Sequence, residues 1–470
     1  PSVSTSILLN NMFDMGSNVS LFKLRVGWAQ SGNDTSAHNL FSILSNTGDW
    51  GSASQLAVSS ALKNDNIEAE LNTSTEFGFD LSLFRNRLNM DFTYYESNNE
   101  NQIFQKSLPV SSGASTKLFN AGNLNSKGFE ASLGGKLIQG NDLNWNMNLT
   151  FTTNKTIITE LAPGTDYVRF WSQAKGGAYT WVGEEVGQIV DRAFVRVEDP
   201  NSPYFGWPLL DDEGWENSDS TLSDEDGNRV APVIGNYNPD FNIGLQTSLQ
   251  YKNWNLSMNF DWRKGGQFVS QTMRYYESDL QTTRWLNKVY NLSDVGDIPT
   301  YIRDNADVFL SPDGDFYPLV GGPTAEDGGF PVDGLNDGVF LPGVIGTYDD
   351  QGNFILEQEN IGGPGTQYHT YGDNYAWDFT RASTFDADFV KLRQISIGYT
   401  FDNKIAQKIG MRNLSLSLFS RNIILWTKAG INIDPESAFQ NSQGNLSQGV
   451  ERYNIQPWAI PVGLKLNASF

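Results

Sequence analysis

Apolar residues recur at every second position through most of this chain, and that period limits what it can fold into. In residues 255–262, Leu256, Met258, Phe260 and Trp262 fall on one face. Asn255, Ser257, Asn259 and Asp261 fall on the other. Residues 144–151 repeat the arrangement with Trp145, Met147, Leu149 and Phe151. The same pattern runs through Phe22/Leu24/Val26/Trp28, Phe77/Phe79/Leu81/Leu83, Leu88/Met90/Phe92/Tyr94 and Phe129/Ala131/Leu133/Leu137. It returns in Phe241/Ile243/Leu245/Leu249/Tyr251, Ile395/Ile397/Tyr399/Phe401, Leu414/Leu416/Leu418 and Val462/Leu464/Leu466/Ala468/Phe470. A period of two is the signature of β-strands with chemically distinct faces. The chain is therefore expected to be all-β.

A sandwich and a membrane barrel both produce such strands, and three features favour the barrel. Nine of the ten apolar faces carry an aromatic residue at one or both ends, as an interfacial girdle requires. The opposite faces are rich in Asn, Ser and Gly and carry all the charge, including Lys23, Arg25, Asp80, Glu130 and Asp261. The gaps also alternate in length. Those at 83→88, 137→145, 251→256 and 401→414 are short, whereas 28→77, 94→129, 151→241, 262→395 and 418→462 are long. Short turns on one side and long loops on the other are the asymmetry of outer-membrane barrels. A charge facing lipid near the midplane costs about 2–4 kcal/mol, which explains the charge-free faces. Hydrocarbon also leaves no unpaired strand edge, so the sheet must close. Further strand pairs are expected inside the long gaps, near Ile103–Leu108 and Val186–Val197, for roughly 12–14 strands in all. The stretch from about 265 to 385 is dense in Gly, Pro and Asp and is read as one elaborated extracellular loop.

Composition excludes much else. Lys and Arg number 32 against 54 Asp and Glu, a net charge of −22, which argues against nucleic acid as a partner. With no cysteine there is no disulfide scaffold, thiolate zinc site or cysteine nucleophile. Only two histidines are present, His38 and His369. No apolar run reaches the roughly 18–20 residues of a membrane-spanning helix. The opening Pro1-Ser2-Val3-Ser4-Thr5 has no leader features, so the numbering is expected to begin inside a longer product.

Several motifs, in order, resemble the barrel of SusC/RagA-type TonB-dependent transporters. They are the 72–80 and 87–95 hairpin, Asn120…Gly122…Gly128-Phe129-Glu130, Asn238-Pro239-Asp240-Phe241-Asn242-Ile243-Gly244 and Phe260-Asp261-Trp262-Arg263-Lys264-Gly265-Gly266. Further along come Phe389–Tyr399, Ser420–Ile423 and Gly430-Ile431-Asn432-Ile433-Asp434-Pro435-Glu436. Terminal Phe470 is similar to the aromatic that outer-membrane assembly reads. The resemblance implies a transmembrane antiparallel β-barrel of 22 strands, with residues 1–470 as its C-terminal part and the plug and N-terminal domains outside this chain. It also implies import of oligosaccharide or peptide across the outer membrane of a Bacteroidetes-type Gram-negative cell. Implied partners are a SusD-like surface lipoprotein, TonB through the N-terminal part, membrane lipid, and a second SusCD pair in a homodimer. The alternatives are a SusC-like barrel serving as a structural subunit of a larger complex, or a soluble secreted glycan-binding β protein.

The candidate sites are few. Trp171, Tyr179 and Trp181 lie in a long outer gap, and Trp377 in another. Aromatic rings there stack on sugars or anchor peptides, or else pack one loop on another. The acidic stretch 211–228 offers carboxylates to Ca²⁺. Counting from Asp224, however, the twelfth position of an EF-hand loop is Gly235, not Glu. A solvated loop is the better reading, and no cofactor is expected. His369 reads as a surface polar residue. No catalytic constellation emerges, so the chain is not expected to be an enzyme.

Overall fold

The computed structural model describes residues 1–470 except 36–39, 42–43, 60, 108–110, 112, 121, 174–175, 220, 280–281, 283, 311–317, 322–338, 370–371, 373–375, 440–447, 454–456 and 470. Its main feature is one sheet of eleven strands that follow one another in chain order, every neighbour antiparallel. The strands are β1 (Ser2–Leu8), β2 (Val19–Asn33), β3 (Glu70–Leu83), β4 (Leu88–Glu100), β5 (Gly122–Gln139) and β6 (Leu143–Leu161). Then come β7 (Phe241–Tyr251), β8 (Trp254–Lys264), β9 (Phe389–Thr400), β10 (Asn413–Thr427) and β11 (Val462–Ser469). All ten alternating segments lie in this sheet, and β1 is an eleventh strand.

The expected count of 12–14 strands is too high. Ile103–Ser107 pairs with Thr116–Asn120 in a separate small sheet, and Gln188–Val190 and Ala193–Phe194 belong to two others. These strands sit in the loops, not in the wall. β1 and β11 each have one neighbour and do not pair with each other, so the eleven strands form an open sheet.

Register places the apolar residues of adjacent strands side by side, as in Leu245 opposite Leu149 and Phe260, and Leu418 opposite Ile397 and Leu464. An oblique ribbon of rings crosses seven strands through Phe22, Phe79, Phe92, Phe129, Phe151, Phe241 and Trp262, with successive centroids 5.3–6.4 Å apart. Among the described residues no second layer covers this face: Phe77 is 50% exposed and Leu464 71%. Each such side chain left in water forgoes about 1.5–3 kcal/mol of burial. A face this wide and this greasy is stable only against lipid.

The opposite face is polar and paired. Lys23 and Arg25 meet Asp80 at 2.9 and 3.0 Å, and Arg25 also meets Asp91 at 2.6 Å. Connections sort by end. Residues 9–18, 84–87, 140–142, 252–253 and 401–412 close one end, and 34–69, 101–121, 162–240, 265–388 and 428–461 the other. In an up-and-down sheet the odd and even connections must fall on opposite rims. The long segments 162–240, 265–388 and 428–461 build a cap with its own core, including fully buried Phe268, Phe309, Phe340 and Phe379. Segment 265–388 holds helix α1 (Gln271–Ser278), a helix at Ile298–Asp304 and short strands.

Candidate functional site

The inner wall just beneath the cap brings together the motifs that stand far apart in sequence. Lys391 of β9 is completely buried, and its Nζ donates to Asp434 at 2.6 Å and to Glu436 at 2.7 Å. Arg393, two residues on, bridges Glu436 and Asp261 of β8. Segment 430–439 is thereby clamped to the wall. Burial alone would raise the Glu436 pKa, but the hydrogen bonds and charges of Arg393 and Lys391 outweigh it and hold it at about 2. Arg263 stacks on Phe439, 3.8 Å from the ring centroid, and donates to the Tyr237 carbonyl at 2.5 Å.

The ends of segment 265–388 are tied in the same way. Buried Asp388 accepts from Lys264 Nζ at 2.6 Å and from the Gly265 amide at 2.7 Å. Gly265 and Gly266 both have φ near +80°, and a Cβ on Gly265 would lie 2.5 Å from the Asp240 carboxylate. The Gly-Gly pair is thus required for the chain to leave the wall here.

A cavity of about 450 Å³ lies between wall and cap. Tyr95, Glu130, Thr152 and Asn242 line it from the strands, and Phe170 and Gln448 from the loops. Gly128 makes room for Tyr95: a Cβ there would lie 2.7 Å from the tyrosine oxygen and 2.3 Å from the Thr153 carbonyl. The Gly128-Phe129-Glu130 motif therefore seats one ring and presents one carboxylate to the barrel interior. A smaller depression lined by Thr150, Asp261, Arg263 and Arg393 adjoins it, sharing Thr152 and Asn242.

The sequence candidates separate. Trp171 packs with Ile189, Tyr237 and Val269 inside the cap, and its indole donates to the Gln448 carbonyl at 2.8 Å. Tyr179 and Trp181 are buried with Val190 and Ala231, Trp181 donating to Ser223 Oγ at 2.8 Å. Burial raises the Tyr179 pKa. Trp377 is on the surface beside Arg274 and Tyr275. His369 stacks on Trp215 with centroids 3.7 Å apart. Phe470 and His38 lie outside the described residues.

The acidic stretch resolves into repeated turns. Asp211 and Asp224 each accept two backbone amides, those two and four residues on, and Asp349 does the same in a third turn. These carboxylates saturate their own backbone, a use that spacing alone does not separate from metal binding. Among the described residues no group of three or more His, Cys, Asp or Glu side chains is placed to hold a metal. Sequence reasoning missed Tyr275 and Tyr453, whose 5.4 Å ring contact spans two loops and leaves no local pattern.

Comparison with known proteins agrees with this geometry. Residues 9–204 match the family model described as TonB dependent receptor-like, beta-barrel. TonB-dependent receptor P3 of Formosa agariphila is 29% identical over 221 residues, covering 45% of this chain and 22% of the relative. TonB-dependent receptor P26 of the same organism is 23% identical over 422 residues, covering 87% of this chain and 35% of the relative. The chain thus spans about a third or less of these relatives. The structure of the RagAB peptide transporter superposes on the whole chain with a TM-score of 0.64 at 16% identity, covering 43% of that chain. Its closed-closed state gives 0.62. With outward-facing apolar strands, an inner polar wall and a one-sided cap all in place, this chain resembles the β-barrel of the TonB-dependent receptors over residues 9–204 and shares the fold of the RagAB transporter's barrel over its whole length.

Proposed function

We propose that this barrel serves an outer-membrane importer of the SusC type, which takes up oligosaccharide or peptide with a SusD-like surface lipoprotein. The observation that carries the proposal is the division of the molecule. A greasy outer face and a charged inner wall run the length of the sheet, and every long loop folds over one rim. In this reading the cap and the lipoprotein enclose the cargo. The polar wall guides it inward, and energy delivered by TonB through the N-terminal part opens the lumen. The residues of this chain bind, orient and enclose, with no resident cofactor and no catalytic step.

Two experiments test this. The full-length protein should extract only with detergent, migrate heat-modifiably and bring a surface lipoprotein with it. Its deletion should abolish uptake of a particular labelled oligosaccharide or peptide by cells. A monodisperse species in detergent-free buffer refutes the proposal, as does unaltered uptake of every cargo in the deletion strain.

A further inference from the structure

At the loop end of the barrel, three aromatic side chains from three separate segments meet on the surface. Tyr275 of α1 touches Trp377 with centroids 5.1 Å apart at 69°, and Tyr453 at 5.4 Å and 76°. Trp377 is 38% exposed, Tyr275 42% and Tyr453 65%. Large rings this exposed are usually mobile, but these are fixed from below. Ser270 caps α1 by accepting from the Met273 amide, and the Ser270 and Thr272 hydroxyls donate to buried Glu451 at 2.6 and 2.7 Å. Arg274 donates through Nε and Nη2 to the Trp377 carbonyl at 2.8 and 2.6 Å. Its guanidinium also lies 3.9 Å from the centre of the Trp377 ring. A surface held in place before its ligand arrives avoids the ordering cost of binding.

The chemistry of the cluster selects among ligands. Its rings offer apolar faces, and the Tyr275 and Tyr453 hydroxyls bond to none of the described residues. A pyranose has the complementary form: an apolar C–H face rimmed by hydroxyls. A purely aliphatic partner would leave those phenols unpaired. Polyanions are disfavoured, because two donors of Arg274 already serve Trp377 and the chain carries a net charge of −22. The cluster is joined to the wall cavity by a short stretch of chain. The chain runs from Gln448, which lines that cavity, through Glu451 to Tyr453. We propose that Tyr275, Trp377 and Tyr453 form a stacking subsite for the sugar rings of an uncharged oligosaccharide, at the mouth of the barrel. This subsite rests on the importer reading and names its class of cargo.

The test uses the full-length receptor, isolated in detergent with whatever lipoprotein accompanies it. Calorimetric titration would use short malto-, cello-, xylo- and manno-oligosaccharides, alginate oligomers and a casein digest. The proposal expects at least one uncharged glycan to bind. Trp377→Ala and Tyr453→Ala should each weaken it by about tenfold, while Trp377→Phe stays within about threefold of the parent. Heat-modifiable migration establishes that each variant is assembled. Binding of peptides or alginate without any uncharged glycan overturns the proposal, and so does the absence of any binding. Glycan affinity indifferent to both alanine variants overturns it too, including when they release the lipoprotein instead. Uptake by cells separates the two readings. Gene-dependent uptake with unaltered glycan binding in the variants removes the subsite and leaves the importer, whereas gene-independent uptake of every probe removes the importer.

Discussion

Replacing Lys391 with Met tests whether the two distant signature motifs are truly clamped together. Met preserves the length and apolar stem of the side chain and deletes only the ammonium group. That group is fully buried, and its two partners are Asp434, 10% exposed, and Glu436, 30% exposed. Removing one member of a buried pair typically costs about 3–5 kcal/mol, because the remaining charge is left uncompensated. Here Glu436 keeps Arg393, so the loss falls mainly on Asp434 and the lower end, about 3 kcal/mol, applies. As every 1.4 kcal/mol is tenfold, local opening of segment 430–439 should rise by roughly a hundredfold. Amide hydrogen exchange on the detergent-solubilised full-length protein reads this directly, since the local opening free energy sets the exchange rate. The strands of the wall should exchange as before. A Lys391→Met/Asp434→Asn double variant should recover part of the loss, because it removes the orphaned charge along with its partner. An increase below about threefold in Lys391→Met would refute the clamp. It would show that apolar packing of Ile431, Ala438 and Phe439 holds this segment unaided.

The same clamp predicts a pH response. Glu436 has its pKa lowered to about 2 in the folded protein, so its contribution is fully present above the unfolded value of 4.5 and is lost as pH falls towards 2. Exchange of residues 434–439 should therefore be flat from neutral pH to about 5 and accelerate below it, after correction for intrinsic rates. Leu464→Arg puts a charge on the lipid face and should cost about 2–4 kcal/mol, seen as reduced heat-modifiable barrel in outer membranes. Asn467→Arg, on the opposite face of the same strand, should assemble normally. Gly128→Val forces a side chain against the Tyr95 ring and the Thr153 carbonyl. It should destabilise the barrel by about 1–3 kcal/mol, with a lower temperature for loss of heat-modifiable migration.

The wall was legible because lipid imposes a strict rule on every second residue. Ten of the eleven strands obey it with aromatic and aliphatic side chains. β1 escaped because its outward positions, Val3, Thr5 and Ile7, include a hydroxyl and no ring. The excess in the expected count has the opposite cause. Loops 101–121 and 162–240 do contain strands, but these pair with other loop strands outside the wall, where no rule fixes their period. The cap core is assembled from short apolar pairs such as Leu209-Leu210 and Val339-Phe340, too brief to show any periodicity. For the loop aromatics, a ring that closes a core and one that greets a ligand look alike in sequence. Trp171 and Trp377 differ only in what the chain places over them. The pairing of Lys391 with Asp434 across 43 positions belongs to tertiary structure alone, although both residues stand in motifs that were recognised.

The cap's densely packed interior has a mechanical consequence. With Phe268, Phe340 and Phe379 each fully buried in its own apolar cluster, these loops should resist bending. Under the proposed import, admission of cargo becomes a matter for the rim, where the proposed lipoprotein would swing against a surface that holds its contour.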